Sequence, residues 1–128
     1  MTLVHRLAEY EPVEPPPVHS TPFFVGQDII ACLVTLQPGA VVPEHQHEHQ
    51  DEIFDVLDGE GTFVLNGEEI RFTPGMTICV PAATRHALKA GQQPWLLRET
   101  VHRRVYARQA LGRALQKRWR KLLQKFSG

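Results

Sequence analysis

The sequence has few cysteines and no long apolar run. Only two cysteines, Cys32 and Cys79, occur among the 128 residues, and neither lies in a short metal-binding or redox motif, so a disulfide-stabilised fold is not expected. No segment approaches the roughly 18 consecutive apolar residues of a membrane-spanning helix, and the first residues are too polar for a secretory signal. We therefore expect one cytoplasmic domain with a single core and two buried thiols.

The sequence also lacks a net charge, but its charges are segregated. All fourteen acidic residues lie at or before Glu99, together with only five of the fourteen basic residues, so this part carries a formal charge of −9. The other nine basic residues, from Arg103 to Lys125, form a tail of charge +9 without acidic residues. Such a tail could dock on the acidic body of its own chain or of a partner, lie on an anionic membrane, or bind nucleic-acid phosphates. Docking is the expectation, because the opposite charges belong to one chain.

Proline and the periodicity of apolar residues divide the chain into three parts. Residues 1–24 include five prolines and predict an arm or an edge-covering loop, since proline cannot donate to a β ladder. Residues 25–102 predict seven or eight short strands separated by glycine and proline turns, as in an all-β sandwich or barrel. Two of these strands are expected at residues 29–36 and 95–102, and Asn66-Gly67 predicts a hairpin turn. Residues 103–128 predict a basic amphipathic helix, because apolar residues recur at steps of three and four: Leu111, Leu115, Trp119, Leu122 and Phe126.

Three histidines and one glutamate form the candidate site with the clearest chemistry. His45 and His47 are separated by one residue, which on a strand directs both side chains to the same face. Glu52 begins the next apolar run, so a turn over residues 48–51 could bring it back beside them. His86 begins a later strand. Neutral imidazoles with a carboxylate suit Fe, Mn, Ni, Cu or Zn.

The spacing of glycines and prolines around these residues resembles the cupin family. The first cupin motif is a glycine, five residues, His-x-His, three or four residues, a glutamate, six residues and a glycine. Every fixed position is filled in this sequence, by Gly39, His45, His47, Glu52 and Gly59.

The second cupin motif is present with two departures. Its pattern is a glycine, five residues, Pro-x-Gly, two residues, a histidine, three residues and an asparagine. Gly75, Pro81 and His86 match, whereas Ala83 replaces the second glycine and Ala90 replaces the asparagine. The position that binds metal in the family is retained.

The resemblance covers roughly residues 25–102 and implies an all-β cupin double-stranded β-helix, a jelly-roll barrel. It implies one divalent transition metal per chain, with four ligands: His45, His47, Glu52 and His86. Glu52 would also be the catalytic residue if it left the metal to act as a general base. Single-domain cupins are commonly homodimers, and a proline-rich arm that shields edge strands would suit such an interface.

Two classes of function remain open. One is a metal-dependent enzyme of the dioxygenase or isomerase type that acts on a small organic substrate. The other is a non-catalytic, metal-dependent module that binds or senses a small molecule and presents the basic tail as its interaction surface. A purely structural metal is a third, minor alternative. The sequence names neither the substrate nor the metal.

Some further residues have weaker assignments. His49 continues the alternation of His45 and His47, but we expect it to be exposed in the turn. Arg85 and Arg98 could contact an anionic substrate, although surface exposure is the more common fate of such residues. The predicted strands place six apolar side chains in the barrel lining: Phe54, Val56, Phe63, Leu65, Val80 and Leu88.

Overall fold

The computed structural model describes residues 2–14 and 16–109, and it contains two antiparallel β-sheets that face each other. Across the described residues there are nine strands: β1 (Val18–Val25), β2 (Ile29–Leu36), β3 (Val41–His45), β4 (Glu52–Asp58), β5 (Gly61–Leu65), β6 (Glu68–Phe72), β7 (Thr77–Val80), β8 (His86–Ala90) and β9 (Trp95–His102). The strand order is β1-β2-β9-β4-β7 in the first sheet and β3-β8-β5-β6 in the second. This is the predicted jelly-roll architecture.

The ninth strand, β1, lies in the segment that the sequence analysis assigned to the arm. It pairs antiparallel with β2 along its whole length, so the first sheet begins at Val18 rather than at residue 25. β1 is an edge strand, and its register is irregular between Pro22 and Phe24. An edge strand with a bulge tolerates a proline, because the missing N–H costs no ladder bond there. The proline-rich segment therefore covers the edge of β2 as a strand.

The residues before β1 include one turn of 3-10 helix, Leu7–Glu9, and then run beside the end of β2. The backbone N–H of Val13 donates to the Thr35 hydroxyl at 3.1 Å, and the Gln37 N–H donates to the Pro17 carbonyl at 2.8 Å. These bonds satisfy backbone groups that the prolines leave without ladder partners.

The strands predicted from the sequence are otherwise confirmed. β2 and β9 have the expected limits, and Asn66 and Gly67 form the turn of the β5–β6 hairpin with φ of 49° and 81°. Both turn positions need φ > 0, which is why this dipeptide is so strong a hairpin signal.

The core fills the space between the two sheets, because alternate residues of each strand face inward. Trp95, Phe63 and Phe72 are fully buried at its centre. Five of the six predicted lining residues are buried, and Leu65 is half-buried against the same cluster. Of the two thiols, Cys32 is buried as expected. The prediction for Cys79 is wrong, because it lies on the outward face of the edge strand β7.

Gly59 closes the turn after β4 in a conformation that only glycine adopts easily. Its φ is +75°, in the left-handed region. A Cβ at this position would overlap the carbonyl oxygen of Pro94 and lie 3.2 Å from the Cα of Trp95. Both neighbours are backbone atoms next to the buried indole, so they cannot move aside. This packing gives a physical reason for the last glycine of the first motif.

A helix, α1 (103–109), follows β9 directly. The N–H of Arg103 donates to the Asp28 carbonyl at 3.0 Å, and Val105 is 2% exposed within the core. The predicted helix is thus confirmed over its first seven residues. The remainder, with the predicted apolar face from Leu111 to Phe126, lies outside the described residues. Where the structure is described, no helix combines the length and apolar character needed to cross a membrane.

Candidate metal centre

The four predicted ligands come together at one end of the barrel. One potential ligand atom from each of His45, His47, Glu52 and His86 lies within 4.8 Å of all the others. His45 ends β3 and His86 begins β8, and the two are cross-strand partners in the second sheet. Glu52 begins β4 in the first sheet. The cluster therefore draws on both layers of the barrel.

Backbone carbonyls orient two of the imidazoles. The Nδ1–H of His45 donates to the Pro43 carbonyl at 2.8 Å, and the Nδ1–H of His86 donates to the Thr84 carbonyl at 2.9 Å. In each case the acceptor is two residues earlier in the chain. A hydrogen on Nδ1 leaves the lone pair of a neutral imidazole on Nε2, the atom available to a metal.

His47 reaches the cluster by a different route from the one predicted. β3 ends at His45, so His47 is in the following loop and the shared-strand explanation is wrong for it. The loop is held by the segment after Pro81: the Ala83 N–H donates to the His47 carbonyl at 2.7 Å, and the Ala82 N–H donates to the Asp51 carboxylate at 2.8 Å. Two sequence-distant loops thus fix this ligand together.

Ala83 forms its bond to His47 in a left-handed conformation with φ of 60°, at the position where the cupin motif has glycine. The turn has kept its shape while the side chain has changed.

We expect Ala83→Gly to raise the free energy of unfolding by about 1 kcal/mol, because it removes the clash of Cβ with the following carbonyl oxygen. Urea unfolding would measure this. Ala82→Gly is the matched control, since Ala82 is not at positive φ and the change there should destabilise by about 0.5–1 kcal/mol. A lower stability for Ala83→Gly would contradict the strain argument.

The polar atoms of the cluster are buried without hydrogen-bond partners. Glu52 is 2% exposed and His86 is 1% exposed. Glu52 Oε1 lies 2.6 Å from His86 Nε2 and 3.1 Å from His47 Nε2. Although these contacts are close, the groups are not aligned for hydrogen bonding, and both imidazole nitrogens and both carboxylate oxygens stay unsatisfied. Each such atom costs about 1–3 kcal/mol. Lone pairs that converge in this way fit a cation.

The protonation states of Glu52 and His45 fit the same conclusion. Burial raises the pKa of the Glu52 carboxyl, but contacts with the imidazoles of His47 and His86 outweigh it, and the pKa falls to about 2. Burial lowers the pKa of His45 below its usual value. Burial also acts to lower the pKa of His86, but the contact with Glu52 raises it overall, so a proton competes with a cation there. An ionised carboxylate and neutral imidazoles are the forms that bind metal.

A cavity of about 320 Å³ inside the barrel adjoins His45. Its walls are mainly apolar, with Val34, Val42, Phe54 and Leu88 among them. Four polar lining residues were not singled out from the sequence: Ser20, Glu44, Glu99 and Gln109. Glu99 is 7% exposed. A signal for it exists, because it shares the inward-facing alternation of Trp95, Leu97 and Val101 along β9.

The other candidates are not part of the cluster of four. His49 is exposed and outside the group of four, as expected. Arg98 alternates with the inward-facing residues of β9, and its side chain donates a hydrogen bond to the Asp55 carboxylate at 3.0 Å. Arg85 is 3.7 Å from Glu44 at the surface. Both arginines are therefore engaged in ion pairs.

Comparison with known proteins agrees with this geometry. The family model described as "Cupin domain" matches residues 32–94, which include all four ligand positions. The chain belongs to the cupin family. Among solved structures, this cupin is similar to KdgF from Halomonas sp., with 28% sequence identity, a TM-score of 0.66, and coverage of 73% of this chain and 86% of that one.

Two curated proteins are similar to parts of this cupin. The HTH-type transcriptional activator RhaS of Escherichia fergusonii is 33% identical over 69 residues, which are 54% of this chain and 24% of the activator. Quercetin 2,3-dioxygenase of Bacillus subtilis is 37% identical over 51 residues, which are 40% of this chain and 15% of the dioxygenase. The matched region thus spans about a quarter or less of each curated relative.

Proposed function

We propose that this cupin is a metal-dependent enzyme of the dioxygenase or isomerase type that acts on a small organic substrate. The observation that carries the proposal is the convergence of ligand atoms from His45, His47, Glu52 and His86. The atoms from the last three residues are buried and have no hydrogen-bond partner. A divalent transition metal, one of Fe, Mn, Ni, Cu or Zn, would be held by these four residues. When bound, it would supply Lewis acidity or redox chemistry.

The residues around the cluster would bind and orient the substrate. The apolar cavity beside His45 is large enough for a compact organic molecule and would exclude water from its walls. Glu52 is our candidate catalytic residue, because its carboxylate could act as a general base if it were released from the metal. The similarity to quercetin 2,3-dioxygenase supports the dioxygenase type.

The alternative is a metal-dependent binding or sensing module without catalysis. The similarity to a transcriptional activator over 54% of this chain favours it, because such a protein regulates rather than catalyses. In this alternative a ligand in the cavity would act through the basic tail. A cytoplasmic homodimer remains our expectation for either function, and contact of the tail with nucleic acid or membrane remains a less favoured prediction.

Reconstitution with each of the five metals, followed by activity assays, would separate the two functions. We expect elemental analysis to find one metal ion per chain. Oxygen uptake across a panel of diketones, phenols and flavonoids would detect a dioxygenase, and proton exchange into deuterated solvent from sugars and keto compounds would detect an isomerase. Bound metal with a tight ligand that is never turned over would instead favour the binding module. A protein that takes up no metal would refute both.

A further inference from the structure

Helix α1 borders two cavities at the end of the barrel. Val105 anchors the helix in the core. Gln109, one turn later, lines the barrel cavity. Arg104 and Arg108, also one turn apart, line a second cleft of about 130 Å³ together with the metal-ligand candidate His47. The helix therefore places two arginines at the cleft that His47 also lines.

This second cleft is basic. Besides the two arginines it is lined by His49, and its one acidic lining residue in the described chain is Glu48. The carboxylate of Glu48 accepts a hydrogen bond from the Gln46 amide. Among the ion pairs between described residues, none involves Arg104 or Arg108. Guanidinium groups match the paired oxygens of a carboxylate or phosphate, and two of them in one cleft form a suitable receptor.

The barrel cavity differs in its lining. Glu99 and Glu44 line it, and no lysine or arginine does so within residues 2–14 and 16–109. Its walls therefore offer an anionic group no cationic partner, whereas the cleft offers two arginines. The charged end of a ligand is expected to face the cleft.

We propose that Arg104 and Arg108 form an anion subsite at the metal centre, which holds the carboxylate or phosphate group of a small ligand beside His47. This inference rests on the proposed function, because the ligand is the one on which the metal centre acts. The cleft volume corresponds to about four water molecules, enough for one oxyanion group and too small for a whole substrate. The remainder of the ligand extends out of the cleft towards the four metal ligands.

Isothermal titration calorimetry of the full, metal-loaded chain with inorganic phosphate and, separately, with acetate tests the subsite. We expect the double variant Arg104→Gln/Arg108→Gln to weaken binding of the preferred anion about tenfold or more, because two charge-assisted interactions are lost. Arg108→Lys keeps the positive charge but removes the paired N–H donors of the guanidinium group, so an intermediate loss of anion affinity is expected. Tighter binding of phosphate would identify a phosphorylated ligand, and tighter binding of acetate a carboxylate.

Arg103→Gln is the matched control. Arg103 is an exposed residue of the same helix, it carries the same charge, and it does not line the cleft. An equal loss in this variant would show diffuse attraction by the basic tail and overturn the proposal, as would a wild-type chain that binds neither anion. Elemental analysis of every sample keeps the two proposals apart. Full metal content without anion binding refutes the subsite alone, whereas absence of metal refutes the proposed function.

Discussion

Replacement of His45 or His47 by alanine is expected to weaken the metal affinity at least about 100-fold. Loss of a residue that only orients a metal ligand already lowers metal affinity by about 10- to 100-fold, and loss of a ligand itself should cost more. Each variant leaves three of the four candidate ligands. Metal titration with a competing chromophoric chelator would give the dissociation constants. The effect should be similar for the two histidines although one ends a strand and the other lies in a loop, because both imidazoles belong to the same close cluster.

His49→Ala is the control for these variants, since His49 is exposed, near His47 in sequence and outside the cluster. Its metal affinity should equal that of the unaltered chain. The opposite ranking, with His49 important and His47 dispensable, would mean that the loop between β3 and β4 adopts another arrangement. Circular dichroism would confirm that all three variants keep the sheet structure, so that a change in affinity reports on ligation.

Gly59→Ala is expected to cost more stability than any other small-residue change considered for this chain. The substitution adds left-handed strain of about 1–2 kcal/mol and an overlap with the Pro94 carbonyl that adds about 1–3 kcal/mol. Together these lower the free energy of unfolding by roughly 3 kcal/mol, a large fraction of the stability of a small domain. Chemical denaturation monitored by the fluorescence of the buried Trp95 would measure the loss.

Gly67→Ala separates the two contributions. Gly67 has a similar φ of +81°, but a Cβ there meets nothing within 4 Å. Only the backbone strain applies, so a loss of about 1 kcal/mol is expected. Equal losses at the two glycines would show that the loop between β8 and β9 yields to the added methyl group, contrary to the packing described above.

The cluster of four candidate ligands and most of the fold could be predicted because the relevant signals are local. Glycine and proline limit where a strand can end, and β2 and β9 begin and end where those residues indicated. The two cupin motifs contain the four predicted ligand positions, and the structure brings these four side chains together. The hairpin at Asn66-Gly67 is fixed by the φ values of two residues and needs no distant contact.

What could not be predicted depends on partners far away in sequence. β1 was not predicted, because prolines within a strand are tolerated only at a sheet edge. No local signal in the sequence shows that β2 has a free edge with which this segment can pair. The position of His47 depends on the Ala83 backbone, 36 residues later. Cys79 lies in an apolar stretch, yet its exposure follows from β7 being an edge strand. The arginines of α1 line the cleft because Val105 anchors that helix in the core, and this position cannot be read from the sequence around them.

The distribution of the four candidate ligands over two sheets would link metal supply to folding. Glu52 belongs to the five-stranded layer, and His45 and His86 belong to the four-stranded layer. If a cation bound to all of them as proposed, it would hold the two layers together at one end of the barrel, and an unfolded chain would offer no equivalent site. Its binding energy would then add to the free energy of unfolding, and the melting temperature would rise with the free metal concentration. A cell short of that metal would hold a looser barrel as well as an empty centre.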